Sequence, residues 1–289
     1  MAEVVDLGIL GTPPVLSGYL ILSHGSGALV DAGSASVAEE YLSRARERSG
    51  GARLEYVLIT HVHLDHAGGT RRILDAEPGM RAAIYTKGAR HLVDPSRLME
   101  SSRQVLGGVV DLWEGMEAVD PGRLIQMEDG EELTIGNSTA RLVATPGHAS
   151  HSSAWYLVED RVLFPGDSAG MLLIGEGGIA WPTAPPPFRM DMFMESLSKL
   201  ESLDPRIICV PHYGCTRRAR EYLESTRRIY IEVDRALARV CDEGVRGDSR
   251  VLDGVLEILG LREMPRGEPL DDELMRNVRG LPGYSHCSR

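Results

Sequence analysis

The sequence predicts a mixed α/β (α+β) fold followed by a helical C-terminal region. Three observations predict it. Short apolar runs alternate with turns and helical stretches over the first 170 residues. Side chains carrying nitrogen and oxygen donors recur just after the ends of those runs, beside Pro or Gly. Beyond Thr216 only helical patterns remain.

The elements follow in order. Val4 to Leu10 is apolar enough for a strand. Tyr19 to Ser23 and Ala28 to Asp31 read as a hairpin around His24-Gly25-Ser26-Gly27. Val37 to Arg48 has apolar residues spaced for one helix face, and Gly50-Gly51 ends it. Glu55 to Thr60 is a strand, with HVHLDH (61–66) hanging from its C-terminal end. Thr70 to Leu74 reads as helix, Arg81 to Thr86 as strand, and 88–98 as a short helix and a turn. Arg123 to Gln126, Glu132 to Ile135 and Ala140 to Ala144 are strands, separated by Asp129-Gly130 and Gly136-Asn137. Ser153 to Val158 and Val162 to Phe164 form a second hairpin around Glu159-Asp160. Residues 171–190 carry Gly175, Gly177-Gly178 and three consecutive prolines, which predicts an ordered loop. Part of it is expected to line a cleft through Trp181 and Pro185 to Phe188, while Met190, Met192 and Met194 mostly pack. Met192 to Leu203 is an amphipathic helix, Arg206 to Val210 a last strand, and the tail from Gly280 is expected to fray. The expected organisation is a core over 1–214 with a helical extension, 215–289, packed on it.

Composition narrows the function. Hydrophobic residues make up 43% of 289 positions, enough for a sizeable core. No apolar run is long enough to cross a bilayer, and MAEVVDLGIL lacks a basic region before an apolar stretch. A cytoplasmic location is the expectation, with no membrane partner. The net charge of −11 repels polyanions, so no nucleic-acid partner is expected. The arginines at 217, 218, 220, 227 and 228 read as a solvated helix face beside Glu221, Glu224 and Glu232. Basic charge is almost all arginine, with lysine only at 87 and 199, as in a GC-rich genome or a hot habitat. Cys209, Cys215, Cys241 and Cys287 make no CxxC pair; Cys209 and Cys215 are close enough for a disulfide reading, but in a cytoplasmic chain small buried or idle thiols are the expectation.

The chemistry concentrates in THVHLDHAGG, residues 60–69. In extended backbone His61, His63 and Asp65 share one side, and His66 joins them if the chain bends at Ala67-Gly68-Gly69. Imidazole and carboxylate donors suit a divalent cation such as zinc, iron or manganese. Three other strand ends offer donors: His148 in TPGHASH, Asp167 in FPGDS and His212 in VPHYG.

HxHxDH at 61–66, TPGH at 145–148, GD at 166–167, the late His212 and the early Asp31-Ala-Gly33 together resemble the metallo-β-lactamase superfamily. The resemblance spans about residues 4 to 214. It implies a four-layer αββα sandwich with metals in a cleft at one edge of the sheets. It further implies two divalent ions, zinc first, with iron or manganese as alternatives. His61, His63 and His148 would bind one, Asp65, His66 and His212 the other, and Asp167 would bridge them. A water shared by two such ions loses its proton near neutral pH and becomes the nucleophile, which Asp65 would orient. The expected activity is hydrolysis of a small ester, thioester or lactone, similar to glyoxalase II-like and lactonase-like members. VPHYGC stands where glyoxalase II enzymes carry a PGHEYT-like tract, which sets glutathione thioesters in question.

Competing readings are a mononuclear iron persulfide dioxygenase, a nuclease or phosphodiesterase, and a β-lactamase. Homo-oligomers are open. Asp31 is either a turn former or a carboxylate that orients a ligand histidine. His151 has a pocket role or a surface one. His91 and Tyr213 read first as packed residues, each with a pocket role open, and His24 and His286 as incidental.

Overall fold

The computed structural model describes residues 1–10, 16–173, 179–212, 214–261 and 270–288. The first sheet is built from β1 (Glu3–Leu10), β2 (Leu16–Ser23), β3 (Ser26–Val30), β4 (Arg53–Ile59), β5 (Arg81–Tyr85) and β6 (Leu124–Met127), paired in that order. β1 to β3 form an antiparallel meander; β3 to β6 run parallel. Parallel neighbours need crossovers, and helices supply them. They are α1 (Ala38–Arg48), α2 (Leu64–Ala67), α3 (Thr70–Ala76), α4 (Thr86–Val93), α5 (Ser96–Leu106) and α6 (Val109–Leu112).

The second sheet comprises β7 (Glu132–Ile135), β8 (Ser138–Ala144), β9 (Ser153–Leu157), β10 (Val162–Phe164), β13 (Ile207–Val210) and β14 (Gly214–Thr216). Its order is β14-β13-β10-β9-β8-β7. Between β10 and β13 lie the small hairpin β11 (Met171–Leu173) and β12 (Ile179–Trp181), then α7 (Met190–Ser202). α8 (Ala219–Asp242), α9 (Asp248–Ile258) and α10 (Leu270–Arg276) follow.

Strand periodicity assigns the layers. On β4, Leu58 packs inward with Tyr19, Val30, Leu142, Trp155 and Phe164, residues of both sheets. Its neighbours Val57 and Ile59 face the other way, onto Tyr41, Ile73 and Leu92 of the first helix layer. On the second sheet Leu163, Ile208 and Val210 meet Phe193, Leu197, Tyr230 and Val233 of the other helix layer. The architecture is therefore helix, sheet, sheet, helix, the fold of a metallo-β-lactamase. Because β3, β4 and β5 run parallel, their C-terminal ends lie along one edge.

Four expectations are corrected. The cysteines are not idle thiols: Cys209 bonds Cys215 and Cys241 bonds Cys287. Cys209 and Cys215 face each other across the β13–β14 ladder, a pair that exists only because the chain turns back into an edge strand after His212. The tail does not fray. Its last turn, Pro282–Ser288, is tied to α8 by the Cys241–Cys287 bond and by Gly283 N donating to Asp234 Oδ1 at 2.6 Å. Trp181 and Phe188 do not line a cleft: Trp181 is fully buried, its Nε1 donating to the Leu274 carbonyl, and Phe188 packs with tilted rings against Phe193 and Tyr230. Gly175, Gly177 and Gly178 lie outside the described residues, as does Tyr213. Lastly, α5 and α6 occupy 96–112, where the sequence showed little beyond a turn. The arginine cluster is the paired helix face expected, with Arg218 on Glu221, Arg220 on Glu224 and Arg227 on Glu201.

Candidate metal centre

Seven donor side chains converge at the shared edge of the two sheets in two groups: His61, His63, His148 and Asp167, then Asp65, His66 and His212. Local geometry delivers each. β4 ends at Ile59, His61 to His63 follow the bend at Thr60, and His63 in extended backbone (φ −66, ψ 153) precedes the helical turn α2. The bend thus falls before Asp65, one turn earlier than the glycines suggested, and α2 itself swings Asp65 and His66 inward. His148 follows Gly147, whose φ is +140 and whose added Cβ would lie 2.5 Å from the backbone of Phe193. Glycine there lets α7 sit directly against the His148 loop. Gly166 does the same for Asp167, with a Cβ meeting Thr60 at 2.7 Å. His212 sits in the turn between β13 and β14, its carbonyl accepting from Leu172 N.

In the first group His63 Nδ1 lies 3.1 Å from His61 Nε2 and 2.9 Å from His148 Nε2. Asp167 Oδ2 lies 3.3 Å from His148 Nε2 and 3.9 Å from His61 Nε2. In the second, Asp65 Oδ2 lies 3.5 Å from His66 Nε2 and 3.9 Å from His212 Nε2. Asp167 Oδ1 lies 3.4 Å from His66 Nε2 and 3.5 Å from His212 Nε2. One carboxylate therefore turns an oxygen to each group.

The donor set fits cations. Ligands held about 2.0–2.1 Å from a tetrahedral ion are about 3.3 Å from one another, close to these spacings. His66 Nε2 and Asp167 Oδ1 are buried with no hydrogen-bond partner, a costly arrangement that a cation between them would relieve.

Surrounding bonds set the tautomers. Asp31, in left-handed backbone (φ 58), accepts from His66 Nδ1 at 2.8 Å and from Thr60 N at 2.7 Å. The Thr60 hydroxyl donates to Asp31, so it accepts from His61 Nδ1 at 3.1 Å. His148 Nδ1 donates to the Thr183 carbonyl at 2.6 Å. Each bond leaves the Nε2 lone pair of His61, His66 and His148 facing the cluster. Of Asp31's two readings the structure therefore selects the orienting one. Thr60, Thr183 and Tyr230 are supports that sequence reasoning missed; Tyr230 Oη accepts from Thr183 N at 2.8 Å. Only Thr60, preceding HxHxDH directly, carried any signal.

Electrostatics divides the groups. Burial lowers His61 well below the ordinary imidazole value, and pushes His63 down to about 3 with help from His148 and His151. Burial also lowers His148. His66 and His212 are buried too, yet the neighbouring carboxylates outweigh that and raise both: Asp65, Asp167 and Asp31 for His66, chiefly Asp167 for His212. The same imidazoles hold Asp167 well below the usual carboxylate range despite its burial.

His151 and His91 stand beside the centre. The His151 ring is 6.0 Å from that of His63 and 5.5 Å from that of His91. His24 sits in the β2–β3 turn, and His286 pairs with Asp242 at the far end of α8.

Comparison with known proteins agrees with this geometry. The family model for the metallo-β-lactamase superfamily matches residues 12–212. A metallo-β-lactamase fold-containing protein of Sulfurisphaera tokodaii is 30% identical over 90% of this chain and 95% of its own length. A hydroxyacylglutathione hydrolase of Methylococcus capsulatus is 28% identical over 96% of this chain and 92% of its own. The crystal structure of an archaeal superfamily protein from Sulfolobus tokodaii superposes with a TM-score of 0.72, at 23% identity, covering 96% of this chain and 98% of that one.

Proposed function

The chain belongs to the metallo-β-lactamase superfamily and is a metal-dependent hydrolase, and from that premise we propose a dinuclear hydrolase of a small ester, thioester or lactone. The observation that carries the dinuclear reading is Asp167, with Oδ2 toward the first donor group and Oδ1 toward the second. Hydroxyacylglutathione hydrolases among the relatives favour a thioester.

Two divalent cations, zinc foremost, would supply Lewis-acid pull on a carbonyl and a lowered pKa for water. His61, His63 and His148 would hold one through Nε2, Nδ1 and Nε2, and Asp65, His66 and His212 the other, with Asp167 shared. The chain's own residues do the rest. Asp31 and the Thr183 carbonyl accept from Nδ1 of His66 and His148, so Nε2 is the nitrogen that each would offer to a cation. Asp65, more open to solvent than Asp167, accepts a hydrogen bond from the attacking water at its carboxylate and sets its direction. The apolar layers behind the loops keep the donors from drifting.

A complete second donor group weighs against a mononuclear iron dioxygenase, and paired arginines weigh against a nuclease. A small-molecule substrate and a cytoplasmic location belong to the same reading. No helix among the described residues is long and apolar enough to cross a membrane. The two disulfides then require a thiol pool that leaves them oxidised, as inside hyperthermophiles.

The test pairs elemental analysis with a panel of lactones, thioesters, phosphodiesters and β-lactams. Asp167→Ala is expected to lose both metals together and at least about a hundredfold of turnover on the best substrate; His63→Ala should lose the first. Full activity with full metal content in both variants would refute the reading.

A further inference from the structure

Two imidazoles and a guanidinium run outward from the first donor group. His151 is stacked on His61 at 6.4 Å and lies edge-on to His63 at 6.0 Å, and His91 follows at 5.5 Å. Exposure rises along the row, from buried His151 to half-buried His91 to exposed Arg90. The topology explains the row. β4 and β5 are parallel neighbours, so α4, which starts directly after β5, rises beside the loop that carries His61 and His63. Its last turn carries Arg90 and His91, and His91 meets His151 there.

The row is rich in donors and poor in acids. Many arginines in this chain rest on carboxylates, but Arg90 Nε donates to His91 Nε2 at 3.2 Å. That bond leaves the His91 proton on Nδ1 as a second donor. His151 is 8% exposed, and its Nδ1 has no hydrogen-bond partner. Among the described residues neither His91 nor His151 makes an ion pair with a carboxylate, although His61, His66, His148 and His212 do. Among the described residues Arg90 makes no ion pair. An unneutralised guanidinium beside a metal cleft, in a chain of net charge −11, is a site for an anion.

We propose that Arg90, His91 and His151 form a carboxylate subsite, so that the substrate is an ester or thioester bearing a free carboxylate on its acyl chain. A guanidinium fork matches the two oxygens of a carboxylate, and the imidazole N–H groups complete its lone pairs. The row begins at His151, 6.0 Å from the His63 ring, with His91 a further 5.5 Å out and Arg90 hydrogen-bonded to it at the outer end. A five-carbon diacid chain, about four bonds from its reacting carbonyl to its carboxylate carbon, would place that carboxylate beside His151, between the donor group and the outer pair His91 and Arg90. The inference rests on the hydrolase reading above, and it names which member of that substrate class the site accepts.

Two ratios test it. Metal-loaded protein is given the glutaryl and valeryl thioesters of N-acetylcysteamine, which differ only in a terminal carboxylate against a methyl group. In parallel, calorimetry compares glutarate with valerate, both of which can offer one carboxylate to the metals. We expect wild type to favour glutaryl over valeryl, and glutarate over valerate, by about tenfold. In Arg90→Gln, an exposed position where folding is not at stake, both ratios should fall toward one; His91→Phe should reduce them in part. Ratios near one in wild type, or ratios that survive Arg90→Gln, would overturn the subsite. If neither thioester is turned over, the hydrolase reading of the substrate fails alone, because calorimetry still decides whether Arg90 binds the second carboxylate.

Discussion

Asp31 shows how much of this centre depends on residues that would never touch a cation. It holds His66 directly and His61 through the Thr60 hydroxyl, one contact on each donor group. Asp31→Ala is therefore expected to weaken metal retention about 10- to 100-fold, read by chelator competition, without removing a donor. The two groups should also differ in proton traffic. His66 and His212 are raised by their carboxylates, whereas burial lowers His61, His63 and His148, so the second group holds its protons to higher pH than the first. A cation entering the second group therefore displaces more protons than one entering the first. Titrating metal-free protein with zinc near neutral pH, with an indicator dye, should release protons mainly with the second equivalent. Raising the pH past the elevated imidazole values should abolish that release, and lowering it should weaken the second equivalent's binding.

At the level of elements, the turn between β13 and β14 is the least expected part of the site. The donor motif at 61–66 was legible because its donors are dense and follow an unmistakable apolar strand. The clasp at Cys209 and Cys215 was legible only as a close pair, set aside for a cytoplasmic chain, because Gly214–Thr216 is too short to show the strand that brings the two face to face. The Cys241–Cys287 bond was hidden, since pairing reports proximity between α8 and the tail, not spacing along the chain. His151 and His91 were each visible as histidines, but their contact depends on how α4 crosses the sheet edge. The two disulfides should differ in their effect on stability. By loop-closure entropy the 46-residue separation is worth about 4 kcal/mol and the 6-residue one about 2 kcal/mol. Urea unfolding of Cys241→Ser/Cys287→Ser against Cys209→Ser/Cys215→Ser would check the order.

For the whole molecule, the C-terminal helices belong to the same apolar cluster as the outer face of the second sheet, including Leu163, Ile208, Tyr230 and Leu252. They also reach the metal centre: Tyr230 on α8 fixes Thr183, whose carbonyl holds His148. A chain ending after His212 should fail to fold to a soluble form, as sedimentation would show. The milder Tyr230→Phe leaves the buried Thr183 N–H unpartnered and should cost about 1–3 kcal/mol, with looser metal retention. The opposite end of the sandwich carries no such burden. Gly50-Gly51 precedes β4, with open space around both glycines, while the donors begin beyond the other end of that strand. Seven strand residues put about 23 Å between them. An insertion there, whether a peptide label or an anchor to a solid support, should leave turnover intact. The enzyme can be grafted by its back, with its mouth still open to solution.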